Sequence, residues 1–284
     1  MTPAPLISNV SDTARWVAIY RAQESARPDA LFHDPLADRL AGERGRAIAA
    51  TAPWQMRSGW TMVARTVLID ALIRQSLAEG CDRIINLAAG LDTRPYRLAL
   101  PPELTWIEAD LPGIIAEKNE LLASEKPVCR LSRESVDLSD ADARGKFLAR
   151  ATEGATRVLV ISEGLLAYLT DDQVRALANS LAALPAIRFW IIDLASPAVR
   201  DMMKKGMGRQ LVNAPMHFGP PNGVAFFEQL GWRVRDIHQM MKEAVRIRRA
   251  PWFIRLATLM PEPDPRSLGR ARWGGIVRLE RPSV

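Results

Sequence analysis

The run IINLAAGLDTRPYRL (residues 84–98) passes within a few positions from aliphatics of buried type to Gly90, Asp92 and Arg94. A turn after a strand needs only the glycine, which lets the backbone approach a ligand closely. The added charges imply that something binds where the apolar run ends. Acids recur at the ends of the later apolar runs: Glu108 and Asp110, then Asp137, Glu163 and Asp193. An acid at a strand end can also cap the helix that follows, so one alone decides little. A full set around one rim is harder to explain by capping.

Asp110 lies 20 residues after Gly90, the separation at which a carboxylate meets the ribose hydroxyls of an adenosine cofactor. A carboxylate accepts two hydrogen bonds, so it suits a vicinal diol and repels a 2′-phosphate. A dinucleotide site needs G-x-G-x-x-G to seat a pyrophosphate at a helix N-terminus. Here Gly90 is followed by Leu91, Asp92, Thr93, Arg94 and Pro95, so two glycines are missing and an acid stands where phosphate needs a donor. Negative charge favours an ammonium or sulfonium instead. S-adenosyl-L-methionine combines adenosine, sulfonium, ammonium and carboxylate, and it is the expected cofactor. The same glycine pattern argues against the rival NAD-dependent oxidoreductase. Arg65, in VARTVLI, could hold the cofactor carboxylate; its alternative is a surface arginine in a salt bridge.

Elements must place these residues on one edge. Apolar runs of strand length occupy 83–89, 104–109, 132–138, 157–162 and 187–194, separated by helical stretches at 112–124, 140–151 and 171–183. Such alternation implies right-handed β-α-β units and a mainly parallel sheet with helices on both faces. The runs at 157–162 and 187–194 are almost continuously apolar, as for strands covered on both sides. In an open sheet of this kind ligands bind outside the carboxyl ends of the strands.

Before the sheet, residues 1–60 read as a helical cap. Ser11 or Asp12 is placed to cap a helix through ARWVAIYRAQESA, stopped by Arg27-Pro28-Asp29. Asp34-Pro35 opens a short helix that Gly42 closes. A longer helix runs from 61 to 78. Residues 61–194 form the cofactor-binding core, and 195–222, rich in Pro, Gly and charge, suit a lid. In 223–284, GVAFFEQLG is expected as a helix, WRVRDIH as a strand and WGGIVRLER as an edge strand. The whole chain, 1–284, reads as one α/β domain with a seven-stranded, Rossmann-like sheet.

Composition sets the remaining bounds. The chain has 284 residues, 48% hydrophobic and 25% charged, ordinary for a globular protein with a large core. No window reaches the roughly 20 apolar residues of a membrane span, and MTPAPLISNVSD does not read as a secretory signal. Cytoplasmic location with reduced thiols is expected, since Cys81 and Cys129 form neither a disulfide framework nor a metal-type spacing. Net charge is +6, yet from Arg200 onward sixteen Lys or Arg face seven Asp or Glu. These cations are interleaved with Trp252, Phe253, Ile254 and Leu256, which favours a folded face preferring an anionic substrate over a nucleic-acid or membrane arm. No nucleic-acid recognition motif is present.

The ordered segments VARTVLID, INLAAGLDTRPYRL, WIEADLPGIIAEK, SVDLSD and VISEGLLAYL resemble the leucine carboxyl methyltransferase family, over roughly residues 10–195. RAQESARPDALFHDPLADRL is similar to its bacterial branch, S-adenosylmethionine-dependent O-methyltransferases of small molecules. The resemblance implies a class I methyltransferase fold. It also implies that Arg65 clamps the cofactor carboxylate, Gly90 lies against the methionine part with Asp92 nearby, and Asp110 takes the ribose. Asp137 and Leu138 would read the adenine, and Glu163 would approach the amino-acid end. Tyr168 would point toward the acceptor, or else pack against the sheet.

The expected reaction is in-line methyl transfer to a carboxylate of a hydrophobic small molecule. A carboxylate is nucleophilic without losing a proton, so alignment and exclusion of water suffice. None of His33, His217 and His238 lies in the motifs. A phenol or hydroxyl acceptor would need a base, for which His217 is the candidate; a non-catalytic S-adenosylmethionine-binding protein is the other alternative. Trp16, Tyr20, Met202, Met203, Met207 and Met216 could line an adaptable apolar acceptor pocket. The expected partner is an anionic, hydrophobic small molecule, with neither nucleic acid nor membrane.

Overall fold

The computed structural model describes residues 10–51, 58–207 and 214–282. The first nine residues, read above as lacking a signal, and positions 208–213 of the expected lid lie outside the described residues. Three helices come first: α1 (Val10–Ser25), α2 (Ala37–Ala50) and α3 (Trp60–Ala78). The alternating core follows as β1 (Arg83–Leu87), α4 (Arg94–Arg97), β2 (Thr105–Asp110), α5 (Pro112–Leu121), β3 (Arg130–Ser135), α6 (Ala141–Thr152), β4 (Val158–Ser162), α7 (Asp171–Ala182) and β5 (Ile187–Ala195). The chain ends with α8 (Pro197–Met207), α9 (Ala225–Glu228), β6 (Arg233–Gln239), α10 (Met240–Arg246), α11 (Trp252–Ala257) and β7 (Gly274–Glu280).

The seven strands form one sheet in the order β3-β2-β1-β4-β5-β7-β6, parallel except for β7, which runs antiparallel to both neighbours. Strand polarity explains the packing. Ile85, Leu87, Val160, Trp190 and Ile192 face α6, α7 and α9 on one side. Ile84, Trp106, Leu159, Ile161 and Ile191 face α3 on the other. α1 and α2 pack together with Ile114 and Ile115 of α5 as a third cluster. The order reverses between β1 and β4, so a crevice opens at their carboxyl ends. Among the described residues no helix is long and apolar enough to cross a membrane.

Several local expectations change. The C-terminal strand is interior, between β5 and β6, and nearly all of β7 is buried. The interior place accommodates its charge: Arg278 is fully buried, and Asp236, Ser76 and Glu79 accept from its three nitrogens at 2.7, 3.0 and 2.7 Å. β3 stops at Ser135, three residues short of the expected 138, which frees Asp137 and Leu138 to turn over the sheet edge. Helix α1 already includes Val10, so Ser11 and Asp12 lie in its first turn instead of capping it. Gly42 breaks α2 with φ 58, but the helix resumes beyond it. The expected helix at 223–231 shrinks to the single turn of α9, while α10 and α11 were not anticipated.

Candidate active site

A cavity of about 1370 Å³ lies along the carboxyl edge of the sheet. It exceeds the roughly 300–1,000 Å³ of an ordinary small-molecule pocket, leaving room for two ligands side by side. All eight residues singled out from sequence line it: Arg65, Gly90, Asp92, Asp110, Asp137, Leu138, Glu163 and Tyr168.

The half over β1–β3 is built from strand ends. Gly90 adopts φ 50, a left-handed backbone that turns its N–H onto Asp110 Oδ2 at 2.6 Å, and Asp110 Oδ1 accepts the Leu111 N–H at 2.7 Å. Burial raises the Asp110 carboxyl above its usual range despite these two donors. Each oxygen keeps a second acceptor position for a ligand. Next along the rim, Asp137 Oδ1 accepts from both the N–H and the hydroxyl of Ser139 at 2.9 and 2.6 Å, which holds its carboxyl below the usual range. Both acids therefore act as local turn-makers while facing the cavity, so capping and ligand roles coexist.

Over the β1/β4 crevice sits a buried ionic cluster. Arg94, on α4, donates to Asp70 of α3 (2.7 Å), to Asp92 (2.8 Å) and to Glu163 after β4 (2.8 Å). Arg97 adds two bonds to Asp70 at 2.6 and 3.0 Å. Arg65 Nε lies 2.8 Å from Glu163, with its N–H off the line of contact, and a second nitrogen lies 3.3 Å from Asp193. Arg65 is thus neither a surface residue nor wholly free: it is buried, paired with two acids, and retains donors among its five N–H groups. Burial works to raise Glu163, but Arg94 and Arg65 outweigh it and hold the carboxyl low. Burial wins at Asp193, whose carboxyl is raised although Arg65 opposes the shift. Three guanidiniums face four carboxylates, so the cluster carries one acid in excess.

Sequence reasoning set Arg94 and Asp193 at the rim without assigning either a contact, and it gave Asp70 no site role. The signal for Asp70 was an acid inside the apolar run VLIDALI. Glu108, expected at the rim, points away from it and is buried in ion pairs with Lys118 and Arg133, both at 2.8 Å.

The other half of the cavity is apolar. Trp16, Tyr20, Met202, Met203 and Met216 line it as expected, while the side chain of Met207 lies outside the described residues. Tyr168 follows β4 on a single 3₁₀ turn, with its hydroxyl 3.5 Å from Thr13 and its ionisation pushed up by burial. His217 is exposed and absent from the wall, as is His33, and the half-buried His238 is absent from it too, so the candidate base is not at the site. Both cysteines are buried and free, with burial pushing their thiols to about 12 (Cys81) and about 11 (Cys129). Neither is poised as a nucleophile.

The sequence model of the leucine carboxyl methyltransferase family matches residues 14–182. The chain belongs to the leucine carboxyl methyltransferase family. Curated relatives named putative S-adenosyl-L-methionine-dependent methyltransferase include one from Frankia alni, 35% identical over 190 residues, 63% of this chain and 66% of that protein. Another, from Streptomyces coelicolor, is 34% identical over 180 residues, 60% of this chain and 63% of that one. The matched region spans just under two thirds of the length of these relatives. In structure the chain resembles a protein from Thermobifida fusca (TM-score 0.57, 12% identity, 100% of both chains). A DUF574 family protein from Streptomyces avermitilis is also similar (TM-score 0.55, 15% identity, 95% of this chain and 97% of that one). At such identity these likenesses bear on the fold alone, a Rossmann-like class I arrangement. The family match stops at residue 182, so the apolar half of the cavity owes much to segments outside it.

Proposed function

We propose that this chain is an S-adenosyl-L-methionine-dependent O-methyltransferase that esterifies a carboxylate of a hydrophobic small molecule. One observation carries the reading: the buried cluster over the β1/β4 crevice sets four carboxylates against three guanidiniums, a surplus that suits a cationic ligand and disfavours a pyrophosphate. Bound there, S-adenosylmethionine supplies an electrophilic methyl group on a sulfonium. The residues fit it. Gly90 admits close backbone approach, Asp110 has acceptor positions for two ribose hydroxyls, and Asp137 with the Leu138 N–H reads the adenine. Arg65 offers its remaining N–H groups to the cofactor carboxylate, and Glu163, Asp92 and Asp193 favour its cationic end.

The chain's own contribution is then alignment and exclusion of water. The methionine-rich wall and Tyr168 position the acceptor against the cofactor half. A carboxylate acceptor needs no base, which agrees with a cavity wall free of histidine. The test is incubation with methyl-labelled S-adenosylmethionine and a panel of hydrophobic carboxylic acids, followed by mild base. Label released as methanol is the expected result. Label that survives base, or no transfer to any acid, would sink the carboxylate assignment.

A further inference from the structure

Four of the eight large hydrophobic side chains exposed among the described residues lie within nine positions: Trp252 (72% exposed), Leu256 (57%), Leu259 (81%) and Met260 (72%). Their spacing follows one helical stripe along α11 and the turn that extends it. The opposite side of the same segment, with Phe253, Ile254, Ala257 and Thr258, lines the cavity, and Met260 sits at the boundary, touching the cavity while largely exposed. A segment apolar on both sides is normally buried on both. Here one side meets the cavity and the other meets water.

Charge says what covers it. Arg255, inside the stripe, and Arg248, four residues before Trp252, are exposed, and among the described residues their guanidinium groups make no ion pair or hydrogen bond. A second copy placed by two-fold symmetry would bring these cations against their own equivalents, which is unfavourable. An anionic bilayer satisfies both features at once, taking the apolar side chains into its interfacial zone and the guanidiniums at its headgroups.

We propose that the face made by Trp252, Arg255, Leu256, Leu259 and Met260, flanked by Arg248, docks the protein on an anionic membrane surface. Docking sets the outer wall of the cavity against lipid, where a hydrophobic acceptor is concentrated. This departs from the expectation of no membrane partner, which took the interleaving of cations with Trp252, Phe253, Ile254 and Leu256 as the mark of a folded, substrate-facing surface; the structure leaves Trp252 and Leu256 exposed instead. The inference does not depend on the reaction proposed above, because binding is read without turnover.

The test is flotation of the full chain with vesicles of phosphatidylcholine alone and of phosphatidylcholine with phosphatidylglycerol. The expected result is flotation with the anionic vesicles only, weakened by salt. Leu256→Ser with Leu259→Ser should lower partitioning by about a hundredfold, since burying each leucine contributes about 1.5 kcal/mol or more. Arg248→Gln with Arg255→Gln should lower it by roughly tenfold or more, at about 1 kcal/mol per cation. Circular dichroism and an unchanged shift in melting with S-adenosylhomocysteine confirm that each variant is folded. Absence of flotation with anionic vesicles overturns the proposal, as does flotation indifferent to both variants. Self-association abolished by the leucine variant, without vesicle binding, would assign the face to a second copy instead.

Discussion

Asp110→Ala separates a binding role from a structural one. The substitution removes a carboxylate that accepts the N–H groups of Gly90 and Leu111. Because burial raises this carboxyl, the sign of its effect on the empty fold is fixed. Its stability contribution is present below the unfolded value and lost as pH rises through the raised folded one. Above the raised value the ionised group is therefore a net burden, offsetting what the two freed N–H groups lose. The ligand-free Tm should move by no more than about 3 °C, or about 1 kcal/mol for a chain of this size. Binding is a different matter. Two charge-assisted hydrogen bonds to ribose contribute at least about 3 kcal/mol together, so the affinity for S-adenosylhomocysteine should fall roughly 150-fold. At a ligand concentration of about 100 times the wild-type Kd, the wild type gains about 2.7 kcal/mol. That corresponds to roughly 5–10 °C in a thermal melt. The variant at the same concentration gains only about 0.3 kcal/mol, a shift of about 1 °C. A variant that keeps more than half of the wild-type shift would refute the placement of the ribose on Asp110. A wild-type shift with NAD in place of the adenosyl-sulfur ligand would refute the cofactor.

Other perturbations probe the scaffold. Arg94→Met leaves Asp70, Asp92 and Glu163 without their shared cation and should destabilise by about 3–5 kcal/mol, measured by urea unfolding. Ala88 sits at φ 52 at the edge of the cavity, and Ala88→Gly should raise Tm by about 2 °C, because relief of left-handed strain exceeds the glycine entropy cost by about 0.5–1 kcal/mol. Glu163 is held low by Arg94 and Arg65 against burial, so its contribution is full above the unfolded value and disappears as pH falls through the folded one. The stability gap between wild type and Glu163→Gln should accordingly narrow in stepped-pH unfolding as the pH falls through and below the ordinary glutamate range.

What could be read from sequence follows the range of the interaction concerned. Gly90, Asp110 and the alternating core were legible because a strand end, a turn and a 20-residue spacing are local and repeat a physical pattern. β7 was misplaced because its position depends on contacts with other elements, among them those of Arg278 with Asp236, Ser76 and Glu79. His217 was plausible from its place in the lid, yet exposure depends on how 214–218 lies against Ala167, where the His217 N–H bonds the carbonyl at 2.7 Å. α10 and α11 were missed because elements of seven and six residues carry too little periodicity.

The ionic cluster shows why the strand-end acids resist a simple division into structural and functional groups. Arg94 is indispensable to the turn after β1, since it holds Asp92, and to the joint with α3 through Asp70. The same guanidinium reaches Glu163 across the switch point, so the geometry of the two strand ends is set together. Fixed charges of this kind need no reorganisation when a cation arrives. They are also costly to bury, and the raised carboxyl of Asp193 records that cost in the ligand-free fold. A cation placed beside Asp193 would return its carboxyl toward the ordinary range, so ligand binding there should release protons at pH values between the ordinary and the raised one. Titration calorimetry in buffers of different ionisation enthalpy measures that release directly. Proton uptake on binding S-adenosylhomocysteine, which lacks the sulfonium, against release on binding S-adenosylmethionine, would locate the sulfonium beside this acid; identical values for both ligands would move it elsewhere in the cavity.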